Sequence, residues 1–182
     1  MTEKKNMIEQ LFFDADCLSS FLWVGQENLL LQLYPGRIVL PKQVYDELSH
    51  PSIRHIGAKI EMLHRTDKII RSDILLNTEE YKIYHDLAIS PPQGQRLIGK
   101  GEAAALALAK VNNGIVASNN LKDIMGYVGK FGLEHITTGD IMILALQEGL
   151  IDENHGNQIW QDMVQRRRLL PTASFTEFLS NR

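Results

Sequence analysis

The stretch Leu-Phe-Phe-Asp-Ala-Asp-Cys-Leu, residues 11–18, decides the fold that this sequence predicts. Its first three residues, Leu11 to Phe13, are a short apolar run of the kind that forms a buried strand. The run stops at Asp14, and a second carboxylate, Asp16, follows two residues later. The pattern therefore predicts a buried strand that delivers acidic side chains at its carboxyl end.

Four more apolar runs follow along the chain, separated by helical patterns. The further predicted strands are residues 37–40, 68–71, 114–117 and 135–137. The predicted helices include residues 54–66, 77–89, 102–111, 121–130, 138–149, 153–168 and 173–180, with a Pro/Gly-rich loop over 90–101. Strands separated by helices imply βαβ units and a mainly parallel sheet covered on both faces. In such sheets the ligand site lies beyond the carboxyl ends of the strands.

The composition is that of an ordinary globular protein with one domain, since the chain has 182 residues, of which 44% are hydrophobic. The formal net charge of -3 argues weakly against non-specific binding to duplex nucleic acid, which needs a surplus of Lys and Arg. Cys17 is the only cysteine, which excludes an intramolecular disulfide and a multi-cysteine zinc site. Residues 1–10 do not resemble a signal peptide, and no apolar stretch approaches the ~20 residues of a membrane span. We therefore expect a cytoplasmic protein that does not contact membranes.

Polar and acidic residues follow the other predicted strands as well. Glu47 lies on the helix after the second strand, Glu102 begins an Ala-rich helix, and Asn120 and Asp123 follow the strand at 114–117. Each of these residues alone has an ordinary explanation, as a helix cap, a helix N-terminal acid or an exposed helix residue. Because they follow strands of one parallel sheet, we expect them to meet at one edge.

Taken in order, four stretches resemble the PIN-domain family, whose members are mostly metal-dependent ribonucleases (VapC-like and PilT N-terminus-like proteins). The matching stretches are Asp14-Ala15-Asp16-Cys17-Leu18, Pro41-x-x-Val44-x-x-Glu47-Leu48, Gly99-x-Gly101-Glu102-Ala103 and Ser118-x-Asn120-x-x-Asp123. The resemblance implies a PIN-like α/β fold of three layers (α/β/α) with a mainly parallel central sheet over residues 10–150. We expect a polar tail over residues 1–9 and extra C-terminal helices over 151–182, packed on the same domain.

Two departures from the family pattern concern the acidic residues. Many members carry Asp where this chain has Asn119 or Asn120, so the fourth acid is either Asp123 or missing. Asp16 is acidic where the family more often has a neutral polar residue, and it either compensates for the missing acid or only caps the next helix.

The resemblance, together with the chemistry of phosphodiester hydrolysis, implies a site for Mg²⁺ or Mn²⁺, which are hard cations that prefer oxygen ligands. We predict that Asp14, Glu102 and Asp123 bind the metal, directly or through water, and that Glu47 holds or orients a water molecule. Auxiliary roles are predicted for Asp16, Ser118, Asn120 and Asp140. For Asp140 the favoured interpretation is a carboxylate that stabilises a helix N-terminus.

The expected substrate is single-stranded RNA, because that is what the family implies; the composition does not separate RNA from DNA. The basic residues predicted to bind it are Arg96, Lys100 and Lys122. The run Arg166-Arg167-Arg168 is interpreted as a solvated helix end rather than a substrate contact. The resemblance also allows a toxin role with an antitoxin protein as partner, and a homodimer.

Two alternatives stay open at this point. The first is a catalytically degenerate PIN fold that serves as a protein-binding or nucleic-acid-binding module, which the two Asn residues favour. The second is a haloacid-dehalogenase-like phosphatase with Asp14 as nucleophile and Asp16 as general acid. That class also needs a later acidic pair and usually a Thr or Val where this chain has Leu18.

Overall fold

A five-stranded parallel sheet forms the centre of the molecule in the computed structural model, which describes residues 9–182. The strand order is β3-β2-β1-β4-β5, and all four neighbouring pairs are parallel. The strands are β1 (Leu11–Phe13), β2 (Ile38–Pro41), β3 (Ile70–Ser72), β4 (Ile115–Ala117) and β5 (Glu134–Ile136). The prediction of a parallel α/β fold is confirmed, with the strand of the opening stretch in the middle. Residues 1–8 of the expected polar tail lie outside the described residues.

Helices connect the strands and cover the sheet. They are α1 (Ala15–Trp23), α2 (Glu27–Leu33), α3 (Lys42–Leu48), α4 (Arg54–Arg65), α5 (Glu79–Ala88), α6 (Lys100–Asn112), α7 (Leu121–Phe131), α8 (Thr138–Gln147), α9 (Glu153–Gln165) and α10 (Phe175–Ser180), with a 3-10 turn at Pro51–Ile53. Helix α6 begins at Lys100, two residues before the predicted start, because Gly99 rather than Gly101 is its N-cap. No helix among the described residues combines the length and the apolar character needed to cross a membrane.

Alternation along the strands divides the apolar core into two layers. Leu11 and Phe13 of β1 face one cluster, to which α1, α4, α8 and α9 contribute, while Phe12 faces a second cluster built with α5, α6 and α7. Phe12 pairs in register with Val39 of β2 and Val116 of β4, which belong to the same second cluster. Successive side chains of a strand point to opposite faces, so each strand contributes to both layers. The result is the three-layer α/β/α arrangement.

The last two helices pack on the first of these layers. Trp160 of α9 and Phe175 of α10 are completely buried in the cluster that contains Leu11 and Phe13. The two helices approach closely at Gly156, where an added Cβ would lie 2.4 Å from the Phe175 ring. Large aromatic side chains buried in this way contribute most of the packing energy of such a contact. Helices α9 and α10 therefore share the core of the sheet.

The two edge strands are short and carry charged residues. Arg71 of β3 and Glu134 of β5 are both exposed, and each strand has only three residues. Short strands with charged side chains prevent a sheet edge from pairing with another chain.

Candidate active site

Asp14 stands at the carboxyl end of the central strand and begins helix α1. Its backbone N–H donates to the Ala117 carbonyl, which continues the pairing of β1 with β4, and its Oδ1 accepts a hydrogen bond of 2.7 Å from the Cys17 N–H as the N-cap of α1. The side chain is buried, and its Oδ2 has no hydrogen-bond partner among the described residues. A buried polar atom without a partner is costly, and such atoms are frequent where a ligand or ion binds.

The environment of Asp14 opposes its ionisation. The pKa of this carboxyl is raised to about 7, mainly by burial and to a smaller extent by the charges of Asp16 and Glu102, although hydrogen bonds from Ser118 and the Cys17 N–H offset part of the rise. Removal from water and nearby like charges both disfavour a carboxylate. A pKa shifted this far, in a group at the ligand-binding edge of a parallel sheet, indicates a functional site.

Three more carboxylates surround a cavity of about 280 Å³ beside Asp14. Asp16 of α1, Glu47 of α3 and Glu102 of α6 line it together with Lys100. Glu47 lies at the mouth and stays accessible to solvent, but partial burial and the charges of Glu102 and Asp16 raise its pKa. The cavity therefore gathers acids from the first turns of α1 and α6 and from the end of α3, and Asp16 is one of the three acids that line it.

Two glycines allow the carboxylates to lie close to the start of α6. An added Cβ at Gly99 would lie 2.0 Å from the Glu102 Oε2, so the carboxylate folds back over that residue. An added Cβ at Gly101 would lie 3.3 Å from a methyl group of Val44 and 3.6 Å from the Glu47 Oε2. Gly99 thus leaves the space that the Glu102 carboxylate occupies, and Gly101 allows α6 to pack closely against Val44 of α3.

Asn120 joins Glu102 to Asp123 on the other side of the cavity. Its Nδ2 donates to the Glu102 Oε1 at 3.1 Å and to the Asp123 Oδ2 at 2.9 Å. Asp123 also accepts a hydrogen bond of 2.6 Å from Arg96 in the Pro/Gly-rich loop. The structure therefore brings the predicted residues together: Asn120 bridges Glu102 and Asp123, and the charge of Glu102 acts on Asp14. The Asp123 carboxylate, however, is held by the Asn120 amide and the Arg96 guanidinium.

The neutral residues at the end of β4 fix this edge of the sheet. The side chain of Asn119 both donates to the Thr138 Oγ1 and accepts from the Thr138 N–H, which ties β4 to the start of α8. The Ser118 hydroxyl is buried against Asp14 and accepts from the Asn120 N–H. The Thr138 hydroxyl lies 3.7 Å from the Cys17 sulfur, and burial raises the pKa of that thiol well above its usual value. Cys17 is thus a buried structural residue without a nucleophilic role.

Asp140 caps a helix instead of joining the acidic cavity. Its carboxylate accepts from the Thr137 N–H and hydroxyl, while the Thr137 hydroxyl accepts from the Asp140 N–H, which forms a capping box at the start of α8. Burial opposes its ionisation, but these hydrogen bonds and the Arg182 guanidinium outweigh it and lower the pKa of Asp140. The structure thus places Asp140 in the favoured helix-capping role.

The three basic residues predicted to bind substrate occupy different places. Lys100 lines the acidic cavity, as described above. Arg96 and Lys122 line a shallow groove next to it with Asp123 and Tyr127. Arg96 is already paired with Asp123, so its guanidinium is only partly available to a phosphate.

Arg168, which the sequence led us to interpret as part of a solvated helix end, reaches the acidic cluster. It follows α9, and its Nη1 donates to the Ser19 Oγ at 3.1 Å and lies 3.8 Å from the Asp16 Oδ1. Its guanidinium also lies over the Trp23 ring, 5.8 Å from the centroid. A separation of 149 residues between Arg168 and Ser19 leaves no local pattern from which this contact could be predicted.

The donor chemistry fits a hydrated divalent cation better than a directly ligated one. Among residues 9–182, no three Asp, Glu, His or Cys side chains are close enough to hold one metal ion together. In this part of the chain, Asp14, Glu102 and Asp123 are therefore not arranged to bind one metal ion directly and together, because Asn120 and Arg96 hold the Asp123 carboxylate. Mg²⁺ normally keeps several waters and uses one or two carboxylates. The unpartnered Oδ2 of Asp14 and the carboxylates of Asp16, Glu47 and Glu102 in the cavity lining are oxygen donors of the kind that such an ion requires.

Comparison with known proteins identifies the family to which this chain belongs. A search of curated proteins found no match. A family model described as DUF3368: PIN domain matches residues 10–181, a range that contains all five strands, the four acidic stretches and helices α9 and α10. PIN domains are generally nucleases. Because the match extends over nearly the whole chain, this protein belongs to the PIN-domain family.

Proposed function

We propose that this protein is a metal-dependent nuclease that hydrolyses phosphodiester bonds in single-stranded RNA. The observation that carries the proposal is a group of carboxylates at the carboxyl end of the sheet: Asp16, Glu47 and Glu102 line one cavity, and the charges of Asp16 and Glu102 raise the pKa of the buried Asp14. Like charges so close together are unfavourable without a counter-ion. A divalent cation, Mg²⁺ or Mn²⁺, is the counter-ion whose chemistry matches oxygen ligands and a phosphodiester substrate.

Each residue of the cavity has a task in such a reaction. When bound, the metal supplies positive charge that stabilises the attacking and leaving oxygens of the phosphate. Asp14 and Glu102 would hold it, with Asp123 contributing through water, and Asn120 orients Glu102 by donating to its Oε1. Glu47, whose pKa is raised and whose carboxylate stays accessible, takes the proton from the attacking water. Lys100 at the cavity provides a cation for the substrate phosphate.

The decisive experiment compares two helix-capping aspartates. In Asp14→Asn and Asp152→Asn the new amide oxygen can still cap its helix, but only Asp14 lies at the acidic cavity. We expect the wild type to cleave single-stranded RNA oligonucleotides with Mg²⁺ or Mn²⁺ and to lose activity with EDTA. Asp14→Asn should lose at least about 100-fold in kcat/KM, more than the 10–100-fold typical of residues that only support a metal ligand. Asp152→Asn should retain it.

Two results would contradict the proposal. One is cleavage that persists at full rate in EDTA or in Asp14→Asn. The other is a wild-type protein that cleaves no RNA with either metal. Matched DNA oligonucleotides in the same assay decide between RNA and DNA.

We further propose, from family resemblance, that the protein acts as the toxin of a toxin–antitoxin pair. Induced expression of the wild type should then arrest growth, whereas Asp14→Asn should not. Co-expression of a short neighbouring gene should restore growth and yield a complex that co-purifies with this chain. Failure of every neighbouring gene to relieve the arrest would refute the antitoxin partner and leave the nuclease proposal intact.

A second candidate function is a degenerate PIN fold that binds a protein or nucleic acid without cleavage. The pairing of Asp123 with Arg96 and Asn120 favours it, because this acid is already neutralised. Calorimetric titration with Mn²⁺ separates the candidates, since the nuclease requires heat of binding in the wild type and less in Asp14→Asn. The phosphatase alternative has no comparable support, because the chain belongs to the PIN-domain family.

A further inference from the structure

An apolar pocket of about 400 Å³ lies between the end of β4, the start of α8 and the segment that follows α9. Its size falls within the range of ~300–1,000 Å³ of typical ligand sites. The residues that line it include Asn119, Leu121, Leu169, Leu170, Pro171 and Phe178. Leu169 is 83% exposed and Leu121 is 47% exposed. Two large apolar side chains that line this pocket are thus exposed to solvent.

The chain that forms one wall of this pocket also carries Arg168. The described residues use only two of the five N–H groups of its guanidinium, one for the Arg166 carbonyl and one for the Ser19 hydroxyl. The contact with Asp16 is long, at 3.8 Å. Arg168 can therefore bind an additional anion without losing the interactions that hold it in place. A guanidinium matches the geometry of a phosphate group.

Two chain segments link the lining of the pocket to the acidic site. Asn119 lines the pocket, and the next residue, Asn120, donates to Glu102 in the site. Leu121 follows at once as the first residue of α7. On the opposite wall, Leu169 follows Arg168, whose guanidinium is directed to Asp16. A polymer bound at the carboxylates therefore passes a cation and an apolar pocket on the same side.

We propose that the segment 168–171 binds one nucleotide of a single-stranded substrate, with Arg168 at its phosphate and the apolar pocket around its base. Proteins that bind single strands combine backbone cations with apolar or aromatic surfaces for the bases in this way. The proposal rests on the nuclease function above and adds a subsite next to the cleavage position. It assigns a substrate role to Arg168, Leu169 and Leu121.

The test measures kcat and KM on single-stranded RNA oligonucleotides for Arg168→Gln and Leu169→Ser. The matched control for Arg168→Gln is Arg166→Gln, in the same basic run. The matched control for Leu169→Ser is Leu76→Ser, because Leu76 is also exposed, at 69%, and follows the edge strand β3. Both test variants should raise KM about tenfold, the effect of losing one base or phosphate contact, with kcat within about twofold of the wild type. Leu169 is so exposed that its replacement leaves the core intact, so the test survives if Arg168→Gln fails to fold.

A second readout identifies the base directly. A series of oligonucleotides, each with one abasic position, should contain one member that raises KM about tenfold for the wild type. Leu169→Ser should respond to that member no more than to the others.

The outcomes separate the subsite from the nuclease function. Equal KM values for Leu169→Ser and Leu76→Ser, or no sensitive abasic position, overturn the subsite while cleavage by the wild type still supports the nuclease. No cleavage of any nucleic acid by the wild type overturns both. If Leu169→Ser changes the sedimentation coefficient but not KM, the pocket is filled by a second copy of the chain, and the nucleotide subsite is refuted.

Discussion

The carboxylates at the carboxyl edge of the sheet fall into two groups that differ in their counter-ions. Asp123 and Asp140 are each joined to an arginine, Arg96 or Arg182, and to hydrogen-bond donors nearby. Within residues 9–182, Asp14 and the acids of the cavity beside it have no such partner, apart from the long contact of Asp16 with Arg168. Both groups lie at the same edge of the sheet, so their place in the fold alone does not explain why one group is paired with arginines and the other is not.

The comparison teaches which acids serve the fold and which serve a ligand. A paired carboxylate is stabilised in its charged form and holds its neighbours in place, as the capping box of Asp140 does. A buried carboxylate without a cation destabilises the folded protein at neutral pH, as the raised pKa of Asp14 indicates. Natural proteins keep such costs mainly where function requires them.

The largest expected effect concerns the pH dependence of stability through Asp14. Its pKa rises from 3.8 to about 7 on folding, so between these values the folded protein holds a proton that the unfolded chain releases. The contribution of this group is therefore most favourable below pH ~4 and is lost as the pH rises to ~7. Three pH units at ~1.4 kcal/mol each give an upper limit of about 4 kcal/mol.

Asp14→Asn removes that titration. In EDTA, urea unfolding should show the variant more stable than the wild type at pH 8 by up to about 4 kcal/mol and nearly equal to it at pH 4. Adding Mn²⁺ at pH 8 should stabilise the wild type only. A gap between the two proteins that is the same at both pH values would mean that Asp14 is ionised in the folded protein across this range, and the comparison would fail.

A smaller effect is expected from Gly99→Ala, which moves an acid without removing it. The new Cβ would lie 2.0 Å from the Glu102 Oε2, so the carboxylate must leave its position at the cavity. We expect RNA cleavage to fall about 10–100-fold, as for residues that orient a metal ligand. Gly129→Ala on the exposed face of α7, where nothing lies within 4 Å, is the control. It should keep full activity and gain about 0.5–1 kcal/mol of stability. Unchanged cleavage by Gly99→Ala would show that the position of Glu102 is unimportant.

The smallest effect on stability is expected when Arg96 is replaced by Gln. Arg96 is largely exposed, and an ion pair of this kind contributes about 0–1 kcal/mol. The variant frees Asp123 from its cation, and Mn²⁺ affinity measured by calorimetry should therefore rise a few-fold. Arg65→Gln, which removes the exposed pair with Glu61, should leave that affinity unchanged. Weaker Mn²⁺ binding by Arg96→Gln would place Asp123 outside the metal site and favour the degenerate fold.

The sequence predicted most of the fold because its elements are locally encoded. The apolar run Leu11–Phe13 is wholly buried, and it could be recognised from three residues. The edge strand β3 is less well predicted and lies at Ile70–Ser72 rather than 68–71, because an exposed edge strand has a weaker apolar pattern. The order of the strands is not encoded locally, and the sequence did not predict it.

The acidic site was predicted in part. Asp14, Glu47 and Glu102 follow strands or open helices, so the rule for parallel sheets brought them together. The rule cannot show side-chain partners, and it therefore missed the pairing of Asp123 with Arg96 across 27 residues. Sequence reasoning also gave Asp16 only an auxiliary role and Arg168 none in the site. The contact between these two residues depends on where the segment after α9 folds, which no local pattern shows.

The charged edge strands determine how two copies of this protein can associate. Because Arg71 and Glu134 stand on three-residue edges, a continuous sheet across two molecules is disfavoured. A homodimer must therefore form through helix surfaces, and its two active sites would be related by helix packing rather than by strand register. Such an interface can dissociate without breaking backbone pairing, which leaves each monomer's central strand, and the aspartate at its end, undisturbed.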